Sequence, residues 1–156
     1  MAAQYGVSHQ MNLLRCGLSA CTLLLLGACA NSDIIESSYG SMGEARDSDA
    51  VGKGWVPEWL PRSAGKIREI HNLDTGEWAV SFSYPEGRSL HIPTDCVQEK
   101  PLEIEGPRID AYWWPNDVPP GLFTTHRHSF FRCSGYAVAK SDKTGQGFVW
   151  SIALGG

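Results

Sequence analysis

The chain has 156 residues, and its 17 acidic residues outnumber its 13 basic ones, which gives a net charge of −4 at neutral pH. This length suffices for one domain with its own core and leaves little room for a second. Residues 51–156 carry 11 basic and 12 acidic residues and no basic cluster. The charge therefore argues against a nucleic acid as partner.

The N-terminal segment has the pattern of a secretory signal. An apolar run of about ten residues follows Arg15 and ends in small residues directly before Cys29. A membrane-spanning helix needs about 20 apolar residues, so the run predicts a cleaved leader. Leu26-Gly27-Ala28-Cys29 resembles the lipobox of bacterial lipoproteins. Both Met1 and Met11 stay open as the start of this leader.

The lipobox resemblance implies a processed N-terminus. Residues 1–28 are then a signal peptide, and Cys29 carries a diacylglyceryl group and an amide-linked fatty acid. Several acyl chains anchor a protein stably to a membrane, whereas one is marginal. Ala30 is not the Asp that favours inner-membrane retention, so the resemblance implies the periplasmic face of the outer membrane.

Residues 29–50 are acidic and rich in Ser, Gly and Ala. Segments this poor in apolar residues cannot bury enough surface to fold alone. We therefore predict a lipidated, flexible tether over 29–50, followed by a periplasmic domain over 51–156.

Cleavage and acylation leave two cysteines that are free to pair. Cys16 and Cys21 lie in the leader, and Cys29 holds the lipid, so Cys96 and Cys133 remain. Disulfides form by default in the oxidising periplasm. We therefore predict a disulfide between Cys96 and Cys133. This bond closes a loop of roughly 40 residues, which stabilises the fold by about 4 kcal/mol in the chain-entropy model.

Two hairpins are predicted in the folded region. In Glu77–Tyr84 the even positions are large and apolar, which is typical of a strand with one buried face. The turn formers of 72–76 join this strand to Lys66–His71. At the C-terminus, Phe148–Leu154 alternates in the same way, and a turn over 141–147 joins it to a strand over 130–139.

The segment between the hairpins predicts a short helix and a long loop. Thr94 can cap a helix start, and Pro101 ends that helix within two turns, so the helix carries Cys96. The proline-rich loop follows. The expected fold class is α+β: a small single domain in which two antiparallel hairpins form one sheet, with a short helix, a long aromatic loop and one disulfide.

The aromatic loop is the predicted binding surface. Tyr112, Trp113 and Trp114 are adjacent, so they cannot all face one core, and exposed aromatic residues give much contact area for little entropy lost. Asp110 and Asp117 flank them and can orient a partner. We expect a non-enzymatic domain without cofactor that contacts an envelope protein or a cell-wall glycan through the loop from 110 to 123.

A cysteine-dependent cell-wall hydrolase is a competing hypothesis. Arg132-Cys133-Ser134-Gly135 and Thr94-Asp95-Cys96 each resemble part of the nucleophile motif of NlpC-type peptidoglycan endopeptidases. That family places its base histidine far downstream. Cys133 has no histidine after it, and a disulfide would consume either nucleophile.

A periplasmic metal-binding protein and an immunity-type lipoprotein that neutralises a toxin are two further hypotheses. His126 and His128 lie two apart, and on a strand both would reach one Zn²⁺ or Cu²⁺ ion. Asp110, Asp117 or His91 would have to complete the site, so these two histidines are weak metal candidates.

Residues 59–84 also resemble the opening of small uncharacterised bacterial lipoproteins. The likeness lies in Trp59-Leu60-Pro61-Arg62-Ser63-Ala64, Ile67 and the Asp74-Thr75 turn. It implies a domain class without a settled activity and assigns no catalytic residue.

Overall fold

A computed structural model describes residues 33–100, 103–115, 118 and 128–153. Seven strands form one antiparallel sheet in the order β1-β2-β3-β7-β6-β5-β4. The elements are β1 Ile34–Ser41, α1 Met42–Asp47, β2 Gly65–Asn72, β3 Trp78–Ser83, β4 Val97–Glu99, β5 Ser129–Arg132, β6 Tyr136–Ser141 and β7 Gln146–Ser151. Within these described stretches, no helix is long and apolar enough to cross a bilayer.

The α+β prediction is wrong, because the described chain is almost all sheet and its one α-helix, α1, has six residues. The predicted helix carrying Cys96 is absent. Residues 97–99 instead form β4, which pairs with β5. Pro93 and Pro101 leave too few residues between them for a stable helix, since nucleation is costly, and pairing with β5 satisfies the backbone instead.

The first predicted hairpin is confirmed. β2 and β3 are antiparallel, with Glu69 opposite Val80. The Asn72 side chain accepts hydrogen bonds from the backbone N–H groups of Asp74 and Thr75, at 2.8 and 3.2 Å. Gly76 has a φ of 69°, which the turn requires and which glycine adopts without strain.

The second hairpin is confirmed with a difference in its first strand. β6 and β7 pair as expected, but the predicted strand over 130–139 is divided into β5 and β6. Gly135 has a φ of 84°, and the N–H of Cys133 donates to the carbonyl of Tyr136, so the chain reverses there. The two hairpins join in one sheet, as predicted, through β3 and β7.

The flexible tether predicted over 29–50 is wrong for residues 34–47, which form β1 and α1. The compact unit begins at Asp33. The Ser41 hydroxyl caps α1 by accepting from the Glu44 N–H, and the Glu44 carboxylate accepts from the Gly40 N–H. Met42 and Ala45 are fully buried. Residues 34–47 contain few apolar side chains, but Met42 and Ala45 are placed so that they pack against the sheet.

The sheet is covered on both faces. The first face, which we call the α1 face, lies under α1 and the irregular segment from 48 to 64. The second, the loop face, lies under the aromatic loop. The α1 face includes Met42, Val56, Leu60, Ile67, Val80, Phe82, Val138 and Val149. The loop face includes Ile70, Ala79, Ile104, Ile109, Val118, Phe130, Ala137, Ala139, Phe148 and Trp150.

Candidate functional site

Trp114 fixes the aromatic loop to the sheet. Its ring lies edge-on to Phe148 and Trp150, with centroid distances of 5.3 and 5.6 Å. Its indole N–H donates to the carbonyl of Val118. Edge-to-face aromatic pairs are favourable beyond the area that they bury. Trp114 is therefore a packing residue of the loop face.

Trp113 and Tyr112 differ in exposure. Trp113 is half-buried, with its ring centroid 5.8 Å from that of Trp114. Its buried Nε1 has no hydrogen-bond partner among the described residues. Tyr112 is 84% exposed, and the guanidinium carbon of Arg68 lies 6.0 Å from its ring centroid. Of the three predicted anchors, Tyr112 is the one presented to solvent.

The other predicted polar residues of this region are only partly described. Asp110 is exposed beside Tyr112 in the chain, while Asp117 and His126 lie outside the described residues. His128 is half-buried, with its ring 5.7 Å from Phe148. The described part of the chain contains no group of three His, Cys, Asp or Glu side chains that would hold a metal ion.

The disulfide prediction is confirmed. Cys96 and Cys133 are bonded, with their Cα atoms 4.1 Å apart. The bond joins the start of β4 to the turn between β5 and β6, and it packs against the α1 face. Both sulfur atoms suggested as hydrolase nucleophiles are consumed in this bond. Cys29, the predicted lipidation site, lies outside the described residues, as do Cys16 and Cys21.

Sequence reasoning missed a buried pair of ionisable side chains on β2. Nδ1 of His71 lies 2.9 Å from Oε2 of Glu69, and the two side chains are 5% and 0% exposed. The Trp55 ring stacks on the imidazole at a centroid distance of 4.1 Å and an angle of 19°. Nζ of Lys53 lies 4.6 Å from the Trp55 ring. Trp55 thus covers the pair from the α1 face.

The surroundings of this pair determine its charge. Burial raises the pKa of Glu69, and this outweighs the hydrogen bond and the charge of His71 and the hydrogen bond of Ser37, which lower it. Oε1 of Glu69 and Nε2 of His71 find no hydrogen-bond partner among the described residues. A carboxylate that orients an imidazole can serve proton transfer, but here the stacked indole covers the ring. The signal in the sequence was two polar residues spaced i, i+2 on the apolar face of a predicted strand.

A cleft of about 410 Å³ opens between the loop before β2 and the chain after β3. It is lined by Pro61, Ser63, Tyr84, Pro85, Arg88, Ser89, Leu90 and His91. The Tyr84 hydroxyl donates to Asp142 at 2.9 Å, and burial followed by this carboxylate raises the pKa of Tyr84. The phenol is therefore a neutral, fixed donor. His91, a predicted third metal ligand, lines this cleft.

Asp142 organises the wall of this cleft. Its carboxylate accepts from Nζ of Lys140 at 2.9 Å and from the N–H of Leu90 at 3.3 Å, besides the Tyr84 hydroxyl. Burial alone would raise the pKa of Asp142, but these hydrogen bonds together hold it below its usual value. The network ties the chain after β3 to the β6–β7 turn.

Residues 33–83 match the family model of the YbbD head domain, a bacterial family. The matched segment starts one residue before β1 and ends with β3, so it includes β1 and α1. No curated protein and no solved structure matches the chain.

Proposed function

We propose that this chain is a lipid-anchored protein of the bacterial envelope whose folded domain binds another envelope component and catalyses no reaction. The observation that carries the proposal is the setting of Tyr112. A large aromatic side chain stands almost fully in solvent, directly before two tryptophans that pack against the sheet.

A rigid support favours binding through Tyr112. Trp114 is held by Phe148, Trp150 and the Val118 carbonyl, so the backbone beside Tyr112 is fixed before any partner arrives. A preorganised side chain loses little entropy on binding. Tyr and Arg are both enriched among residues that dominate interfaces, and Arg68 lies beside the Tyr112 ring. A protein surface or a sugar ring fits this pair.

Three observations support the envelope address. Residues 26–29 resemble a lipobox, the disulfide between Cys96 and Cys133 suits an oxidising compartment, and the matched family is bacterial. Only residues 30–33 separate a lipidated Cys29 from β1. Four extended residues reach about 14 Å, so the domain would stand close to the membrane surface. A partner at the periplasmic face of the outer membrane fits this position.

The binding role is tested by crosslinking in cells. We expect Tyr112→Ala to remove crosslinks to a second envelope component while the unfolding curve of the purified protein stays unchanged. Leu73→Ala is the matched control, because Leu73 is another exposed apolar residue, on the β2–β3 turn. Crosslinks that persist in the Tyr112→Ala protein would refute the assignment of this surface.

The anchor is tested separately on membrane fractions. We expect intact-mass spectrometry to show a chain that starts at Cys29 and carries acyl groups, and Cys29→Ser to abolish the acylation. An unacylated chain that keeps residues 1–28 would contradict the anchor and would leave the crosslinking result interpretable by itself.

A further inference from the structure

The two edges of the sheet differ. β4 has three residues, whereas β1, at the other edge, has eight, and five of these eight are exposed. An exposed edge strand presents unpaired backbone groups to which another strand can add. Glu36 is the one charged residue within β1, and edge strands often carry more protection than that.

The outward backbone groups of β1 follow from its pairing with β2. The N–H of Leu73 donates to the carbonyl of Asp33 at 2.8 Å, so residues 33 and 73 form a hydrogen-bonded pair. Such pairs alternate along an antiparallel ladder. The backbone groups of Glu36 and Ser38 therefore point away from β2. The Gly40 N–H, which has the same parity, donates outward to Glu44, as this pattern requires.

We propose that β1 pairs antiparallel with β1 of a second copy of this chain, with the two-fold axis at Ser37. The sheet then continues across the dimer. The inference goes beyond the proposed function, because it involves neither Tyr112 nor the lipid.

The side chains of β1 are complementary to themselves in this register. Glu36 of each copy lies opposite Ser38 of the other, so the hydroxyl can donate to the carboxylate. Ile35, which is 36% exposed, lies opposite the half-buried Tyr39 of the other copy. Pairs of an aromatic and a β-branched residue are favourable across antiparallel strands. The backbone of Glu36 and Ser38 exchanges four hydrogen bonds across the two copies.

The neighbouring registers lack this match. An axis at Glu36 places the two Glu36 carboxylates opposite each other, and like charges in that position are unfavourable. An axis at Ser38 places Tyr39 opposite Ser37 and Ile35 opposite Ser41. Of these three registers, the one with its axis at Ser37 is the one that places Ile35 opposite Tyr39 and keeps the two Glu36 carboxylates apart.

A cysteine at the axis tests the pairing in bacterial membranes with the full chain. The two copies of residue 37 form a non-hydrogen-bonded pair with Cα atoms about 4.5 Å apart, which is within disulfide reach. We expect Ser37→Cys to give a covalent homodimer on mild oxidation. Gln98→Cys, at an exposed position of the opposite edge strand β4, is the control and should stay monomeric.

Charge at position 38 tests the register. Ser38→Asp places a carboxylate opposite Glu36 twice in the dimer, so we expect the Ser37→Cys crosslink yield to fall about two- to thirtyfold. Ser38→Lys lies opposite Arg68 of its own chain as well as Glu36 of the other copy, so it should not lower the yield. The same charges introduced at Gln98 should leave it unchanged, as should Tyr112→Ala, which separates this result from the proposed function.

Ser37 is half-buried, so its replacement also needs a folding control. If Ser37→Cys does not fold, coexpressed chains that carry Glu36→Cys and Ser38→Cys at exposed positions should form a mixed disulfide. A folded Ser37→Cys protein that reacts with maleimide but gives no dimer overturns the proposal. A yield that is insensitive to both charges at position 38 also overturns it.

Discussion

The buried carboxyl of Glu69 makes the stability of the fold depend on pH. Its pKa is raised above 4.5, mainly by burial, so the folded state holds this proton more tightly than the unfolded state does. The resulting stabilisation is present at low pH and is lost as the pH rises through the folded pKa. We expect Glu69→Gln to become more stable relative to the wild type as the pH rises above 4.5.

Urea unfolding at a series of pH values measures this difference. Glu58→Gln is the control, because Glu58 is exposed and its replacement should follow the wild-type curve in parallel. A Glu69→Gln curve that is also parallel to the wild type would mean that burial does not disfavour the ionised carboxylate.

Both the backbone conformation of Gly145 and the atoms around it exclude a side chain at this position. Its φ is 60°, and an added Cβ would lie 2.1 Å from the carbonyl oxygen of Tyr84. Gly54 has a similar φ of 77° but open space around it. We expect Gly54→Ala to cost about 1 kcal/mol from backbone strain alone and Gly145→Ala to cost more than about 2 kcal/mol. Equal costs in denaturant unfolding would show that the Tyr84 backbone moves freely.

At the scale of elements, neighbouring residues of the aromatic loop have different roles: Trp114 packs against the sheet, and Tyr112 is exposed. Trp114→Ala removes a ring packed against Phe148 and Trp150, so we expect a loss of about 3–5 kcal/mol in the free energy of unfolding. Tyr112→Ala should change it by less than about 0.5 kcal/mol. Thermal unfolding of the two variants checks this, and a large loss in Tyr112→Ala would place its side chain in the core.

The disulfide stabilises the weakest part of the sheet. It pins the three-residue β4 beside β5, with help from the ion pair of Arg132 and Glu99 at 2.8 Å. We expect replacement of Cys96 and Cys133 by Ser to cost about 4 kcal/mol, since the loop between them is then unconstrained in the unfolded state. Adding reductant should lower the free energy of unfolding of the wild type by the same amount, about 4 kcal/mol. It should leave that of the variant unchanged.

Some elements are readable from the sequence because their determinants are local. β3 and β7 carry period-two patterns, and the Asn72 and Gly76 turn chemistry predicts β2 as the hairpin partner of β3. β4 has no such pattern. Its strand character comes from pairing Val97 with Arg132, which is distant in the chain. The sequence predicts a helix there from the capping residue Thr94, a local feature. The pairing with Arg132 exists only in the folded chain.

The buried pair of Glu69 and His71 could not be predicted either, because its burial depends on residues distant in the chain. The aromatic loop was recognisable because Tyr112, Trp113 and Trp114 are adjacent, but which of them is exposed depends on Trp150, far along the chain. The Glu69 and His71 pair is buried by Trp55, which arrives from the segment between α1 and β2. Composition cannot show that contact.

At the scale of the whole molecule, the sheet separates two cores that need different parts of the chain. The α1 face is covered by α1 and the segment up to residue 64, with Leu90 and the disulfide cysteines added from later in the chain, and the loop face depends on the aromatic loop. The match to the YbbD head domain spans residues 33–83 and so contains α1 and the segment from 48 to 64, which cover much of the α1 face. The N-terminal segment is therefore part of the domain and not a spacer.

This organisation predicts where the folded domain can begin. A chain that starts at residue 33 keeps β1 and α1, and we expect it to unfold in one cooperative transition. A chain that starts at residue 51, at the boundary that composition suggests, loses the buried Met42, Ala45 and Ala50. Removing one buried Met side chain costs about 2–5 kcal/mol, and the stability of a domain this size is about 5–15 kcal/mol.

The shorter chain also exposes β2 as a new sheet edge. Ile67 and Glu69 would lose the cover of β1, so we expect aggregation or no cooperative transition in near-ultraviolet circular dichroism. A shorter chain that unfolds as cooperatively as the longer one would show that β1 and α1 only decorate the sheet. A longer chain that fails to fold while the full chain does would instead place required contacts before residue 33.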